Sequence, residues 1–107
     1  MTTFDSRERA FEDKFAHDDK LMFKARARRN KLFGLWAAGE MGIVGDAADD
    51  YAGAVVVADL EEDGDADVIR KVKADFDTAD IEMSEHRLEK HLAEEFIRAK
   101  DQVMNEV

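Results

Sequence analysis

Asp59, Glu61, Asp63, Asp65 and Asp67 put a carboxylate at every second position, with Gly64 in sixth place. They trace the outline of a calcium-binding loop. The twelfth position of such a loop supplies a bidentate carboxylate, and here it is Arg70. A cation in the place of the strongest ligand argues against metal. A helix C-terminus, a glycine turn and an acidic N-cap account for the same residues. His86 and His91 stand five apart and so do not share a helical face as an i,i+4 metal pair does. Each reads as a solvated side chain. Gly39, Gly42 and Gly45 lack both a preceding strand and a following Lys–Ser/Thr, so they form no phosphate loop. Cysteine is absent, and no serine stands beside a histidine in a nucleophile motif. No carboxylate has the apolar setting that would raise its pKa for acid–base work. Neither a metal site nor catalysis is expected.

The basic cluster Lys24, Arg26, Arg28, Arg29 and Lys31 is the remaining chemical feature. On a helix, Lys24, Arg28 and Lys31 share one face, and Arg26 and Arg29 lie on another. The cluster reads first as the solvated side of a helix, balanced by acidic helices packed alongside. It also suits an acidic partner or a phosphate group, which makes Lys24, Arg28, Arg29 and Lys31 candidates for a secondary contact. An alternative function follows: a nucleotide-sensing or ligand-binding helical bundle with weak affinity for ATP or ADP. No other cofactor is expected.

These residues must be carried on something, and the composition says what. The 107 residues suffice for one small domain with a modest core. Proline is absent and charged residues make up 39% of the chain, so turns fall to glycine and aspartate and an all-α protein is favoured. No apolar run reaches the length of a membrane span, and the N-terminus lacks a signal-peptide core. A cytoplasmic protein without membrane insertion is expected. Charge is uneven. Residues 1–45 hold nine Lys/Arg and seven Asp/Glu, whereas residues 46–107 hold seven and nineteen. An acidic body argues against nucleic acid.

Periodicity predicts four helices. The first runs from Asp5 or Ser6 to about Ala38 as one uninterrupted pattern, with Met22, Ala25, Leu32, Phe33 and Trp36 on its core face. The second spans Ala47 to about Glu62, N-capped by Asp46. The third spans about Ala66 to Ala79, capped by Asp65 or Asp67, with Val68, Ile69, Val72 and Phe76 as its stripe. Ile81 and Met83 plug the next turn. Ser84 caps the fourth helix, whose seam is Leu88, Leu92, Phe96, Ala99 and Val103. Short connections make this a four-helix bundle with antiparallel neighbours.

The first helix has two unlike halves. From Leu21 onward apolar residues are dense. Before that, Phe4, Phe11, Phe15 and Met22 make one thin stripe among charged and small residues. A stripe too thin for a core suits reception by a partner. Residues 1–18 are therefore expected to be mobile alone and helical when bound, attached to a bundle domain of residues 19–107.

The motifs of this segment resemble a known family. They are Arg-Glu-Arg-Ala-Phe-Glu at 7–12, Lys-Phe-Ala-His at 14–17, Ala-Arg-Arg-Asn-Lys-Leu at 27–32 and Gly-Leu-Trp-Ala-Ala-Gly at 34–39. Asp-Val-Ile-Arg-Lys-Val at 67–72 extends the likeness. Together they resemble the zeta subunits of α-proteobacterial F1F0-ATP synthases. That resemblance implies a four-helix bundle with a mobile N-terminal inhibitory segment. It implies a regulatory inhibitor of ATP hydrolysis rather than an enzyme. The segment would enter an α/β catalytic interface of F1, reach the γ shaft and block rotation in the hydrolysis direction. The partners implied are the F1 α, β and γ subunits, and the site is cytoplasmic, on the F1 side of the membrane-bound synthase. The free protein is expected to be a monomer. The partner-binding residues would be Phe4, Arg7, Glu8, Arg9, Phe11, Lys14, Phe15 and His17, with His17 placed to tune binding with pH.

Overall fold

Asp18 decides where the first helix begins. Its backbone is extended (φ −138°, ψ 96°), and its carboxylate accepts hydrogen bonds from the Lys20 and Leu21 amides at 3.1 and 3.2 Å. An aspartate that satisfies free N–H groups at a helix start holds itself out of the helix. The uninterrupted helix expected from Asp5 or Ser6 is thus broken at residues 17–18, with His17 in a turn. The computed structural model describes Asp13, residues 17–59 and residues 65–106. Among these are four helices and no strand: α1 (Asp19–Glu40), α2 (Asp46–Ala58), α3 (Ala66–Thr78) and α4 (Glu85–Glu106).

Two of the stops are Schellman motifs. At the end of α1 the Ile43 amide reaches the Ala38 carbonyl (2.8 Å) and Gly42 reaches Gly39 (3.1 Å), with Gly42 at φ 75°. At the end of α3 the Ile81 amide reaches Phe76 (2.8 Å) and Asp80 reaches Asp77 (3.2 Å). Here the left-handed position falls to Asp80, at φ 58°. Ile81 then packs on the same cluster as Phe76, the apolar contact such a motif brings. Met83 joins it, so both expected plugs are in place.

Two caps differ from expectation. Asp46 is the first residue of α2, not its cap. Gly45 takes that place at φ 65°, with no side-chain bond, and Asp46 and Asp49 instead put negative charge in the first turn. Asp65 holds the cap position of α3, but its carboxylate goes to Arg29 at 2.9 Å and makes no capping bond. Ser84 does cap α4, its hydroxyl accepting from the Arg87 amide at 3.2 Å. α2 ends at Ala58 rather than near Glu62, and Leu60 to Gly64 lie outside the described residues.

The main core joins all four helices. Phe33 and Ala37 of α1, Val55 of α2, Val68, Ile69, Val72 and Phe76 of α3, and Leu88 and Leu92 of α4 are buried together. A smaller cluster, Ala25 with Val103, sits towards the start of α1 and is covered by Leu21, Met22, Phe96 and Met104. Contacts fix the directions. Arg26 meets Asp59 and Gly34 meets Ala52, so α2 runs antiparallel to α1. Arg28 meets Glu106 and Trp36 meets His91, so α4 is antiparallel as well. Arg29 meets Asp65 and Trp36 meets Phe76, so α3 is parallel to α1.

The core face expected for α1 needs correction. Met22, Leu32 and Trp36 are only partly buried, while Gly34, Ala37, Ala38, Arg29 and Asn30 are buried. Three helices surround α1, so it shows no single apolar stripe, and small residues set the closest approach. A Cβ on Gly34 would lie 2.7 Å from the Ala52 Cα, so α1 and α2 approach backbone to backbone there. In α4, Phe96 is partly buried at the rim and Glu95 takes a fully interior place.

Candidate functional site

The residues expected to meet a partner divide at Asp18. Phe4, Arg7, Glu8, Arg9, Phe11, Lys14 and Phe15 lie outside the described residues, as does most of the 1–18 segment. Asp13 is helical and exposed, and His17 is exposed in the turn before the Asp18 cap. Phe23 follows in the first turns of α1, 64% exposed, although sequence reading gave it no role. Its neighbours Leu21 and Met22 face the smaller cluster, so Phe23 points away from it.

The basic face of α1 is tied to the rest of the bundle. Arg28 makes a two-pronged contact with Glu106, Nη1 to Oε2 and Nη2 to Oε1, each at 2.8 Å. Its Nη1 also donates to Gln102 Oε1 at 2.9 Å. Lys24 lies 3.4 Å from the same carboxylate. The hydrogen bond from Arg28, aided by the nearby charges of Arg28 and Lys24, holds the Glu106 carboxyl below its ordinary value, and the same hydrogen bond raises Arg28. On the other face Arg26 approaches Asp59 at 3.7 Å and Asp65 at 3.9 Å. Arg29 is buried. It pairs with Asp65, donates from Nε to Asn30 Oδ1 at 3.0 Å and lies 5.2 Å from the Phe96 ring centre. A guanidinium needs such partners when it leaves water. Lys31 is exposed and has no ion pair among the described residues.

Thus Lys24, Arg28 and Arg29, three of the four secondary-contact candidates, are engaged by carboxylates of α4 and of the start of α3. The acidic turn is engaged from the other side. Asp59 and Asp65 meet arginines of α1, and Asp67 accepts from Arg70 at 2.8 Å. Arg70, which spoils the calcium pattern in the sequence, occupies one of its acids in the fold. Among the described residues no group of three His, Cys, Asp or Glu side chains is arranged to hold a metal ion.

Two side chains gain environments that sequence reading did not anticipate. The Tyr51 hydroxyl donates to Asp75 Oδ2 at 2.7 Å, while Lys71 reaches the same carboxylate at 3.1 Å. Burial first, then that hydrogen bond, pushes the Tyr51 hydroxyl well above its ordinary pKa. His91 is not the solvated side chain expected. It stacks on Trp36 with ring centres 3.8 Å apart and planes at 18°. His86, by contrast, is exposed as expected. Exposure at position 91 followed from the usual setting of a histidine that shares no helical face with another, and only the antiparallel α1–α4 pairing brings Trp36 across to it.

The model of the family described as ATPase inhibitor subunit zeta matches residues 1–102 of this chain. The chain belongs to that family. A protein solved in solution by NMR is also similar. It is 45% identical, with a TM-score of 0.72, and the match covers 81% of this chain and 99% of that one. No curated protein matches the chain. The family is described as an inhibitor, so its members are regulatory proteins rather than catalysts, and a zeta subunit has an ATPase as its partner. Among the described residues of this zeta-family chain, no helix is long and apolar enough to cross a membrane.

Proposed function

We propose that this zeta-family chain restrains ATP hydrolysis by F1 through its N-terminal segment. The segment enters an α/β catalytic interface near the γ shaft and opposes rotation in the hydrolysis direction. The free protein acts as a monomer from the cytoplasmic, F1 side of the membrane-bound synthase. The family match carries this reading, because it runs from residue 1 and so includes the segment rather than the bundle alone. Asp18 supports it. With α1 capped by its own carboxylate, the described core starts at Leu21.

In this reading Phe4, Phe11 and Phe15 are the buried anchors, since a received helix binds through a few large side chains. Arg7, Arg9 and Lys14 meet carboxylates of the receiving cleft, and Glu8 and His17 flank them. Lys24, Arg28, Arg29 and Lys31 form at most a secondary contact, because three of them already serve the bundle.

The test is an ATPase assay of the cognate F1 with the full chain and with a chain lacking residues 1–15. Circular dichroism must show the shortened chain still helical. Loss of inhibition on truncation is expected. Phe11→Ala alone should weaken inhibition by about 2 kcal/mol, roughly thirtyfold in affinity. A shortened chain that inhibits as strongly as the full one would move the active surface to the bundle.

A further inference from the structure

We infer that His91 is a proton-sensing contact that tightens the seam between α1 and α4 as the pH falls. The imidazole is mismatched with its surroundings. Nε2 of His91 is shut off from solvent and makes no hydrogen bond. The nearest acceptor is Oε1 of Glu95, at 3.4 Å, and Glu95 is itself buried. Nδ1 lies 3.9 Å from Oε2 of Glu94. Both ring nitrogens therefore face carboxylates.

A neutral imidazole has one N–H and one lone pair, so whichever tautomer forms, one nitrogen turns a lone pair towards a carboxylate. The imidazolium carries two N–H groups and suits both. The third partner is Trp36 of α1. Its indole is the surface on which the ring stacks, and a cation over an indole face is attracted by the ring quadrupole. Phe33 of α1 lies beside the same ring, at 6.2 Å between centres. Protonation at this one site thus improves contacts within α4 and across to α1.

Opposing charges are present and do not remove the effect. His91 borders an open recess of about 340 Å³ to which α4 brings His86, Arg87 and Lys90. These three are exposed, so solvent screens their charge. Arg98 also holds Glu95, at 3.0 Å, but it is 63% exposed and its field is screened by solvent. α1 contributes only Trp36 to the recess, and the connection before α4 contributes only Met83, so neither brings charge. α3 reaches the stack through Phe76, 5.8 Å from Trp36.

Trp36 is the single tryptophan of the chain and reports on its own contact. A protonated imidazole stacked on indole quenches its emission. Emission of the full chain should fall in one transition as the pH is lowered from about 8 to about 5, the range in which histidine side chains change charge. The transition should vanish in His91→Gln and persist in His86→Gln and His17→Gln. Emission that stays flat in the native chain overturns the inference, as does a transition that survives in a helical His91→Gln. If that variant does not fold, the ring ¹⁵N shifts of His91 in the native chain decide the matter, and no titration between about pH 5 and 8 refutes the inference. None of these readouts depends on the N-terminal mechanism.

Discussion

Replacing Gly34 by alanine sets a gain in helix propensity against a collision. In an exposed helix interior the exchange is worth about 1 kcal/mol in favour of folding. At Gly34 the new Cβ would stand 2.7 Å from the Ala52 Cα and 3.2 Å from the Cβ atoms of both Ala52 and Val55. Carbon atoms in ordinary contact lie about 3.5–4.0 Å apart, so α2 must retreat by roughly 1 Å. The obstacle is backbone, and no rotamer change removes it. Overpacking of this kind costs about 1–3 kcal/mol. The retreat also draws Val55 away from the main core, where it is fully buried. The collision should win, leaving a net loss of up to about 2 kcal/mol and lowering Tm by up to about 10 °C. Gly53 supplies the control. It lies inside α2, and a methyl added there would meet nothing within 4 Å, so Gly53→Ala should stabilise by about 0.5–1 kcal/mol. Thermal unfolding followed by circular dichroism reads both. A Gly34→Ala chain that melts at or above the native temperature would refute the close approach of α1 and α2.

Three further outcomes are expected. Phe33→Ala should cost about 3–5 kcal/mol in denaturant titration, whereas Phe96→Ala, at the partly open rim, should cost distinctly less; equal losses would mean that Phe96 is interior. Asp80→Gly should raise Tm, because the C-terminal stop of α3 forces a left-handed backbone on a residue with a Cβ, worth about 0.5–1 kcal/mol; no gain would mean that the aspartate side chain is compensating. The Arg28–Glu106 tie should be present at neutral pH and lost on acidification. Glu106 is depressed in the fold, so its contribution is complete above the ordinary glutamate value of 4.5 and disappears as the pH falls through the lower folded value. Glu106→Gln should therefore narrow the stability difference between neutral and acid conditions, and an unchanged difference would deny the tie.

α3 and α4 were the legible parts of the chain. Each touches the core along one side, so Val68, Ile69, Val72 and Phe76, then Leu88, Leu92, Ala99 and Val103, appear as stripes in the sequence and as core in the fold. α1 was less legible because it is enclosed by three helices. Its interior is chosen by how closely backbones approach, which favours Gly34, Ala37 and Ala38 over the larger Leu32 and Trp36. Arg29 and Glu95 were unreadable for another reason. Arg29 depends on Asp65, a partner on another helix that sequence spacing does not single out, and the i,i+4 and i,i+3 partners of Glu95, His91 and Arg98, fit an exposed helix face as well as a buried one. Asp18 was unreadable because its role rests on backbone amides that any sequence carries. The motifs at 7–12, 14–17, 27–32 and 34–39 identified the family, but their spacing gave no hint of the Asp18 break.

The central position of α1 has a mechanical consequence. Tension applied at residue 18 would draw α1 lengthwise, along the axes of antiparallel α2 and α4. Contacts from Ala25 to Ala38 would then be sheared together, rather than peeled one after another from an end. Side chains loaded in parallel share the force, and Gly34 locked against Ala52 gives the helix a tooth against sliding. A tether anchored in this way yields later than one hung from an outer helix of the same bundle.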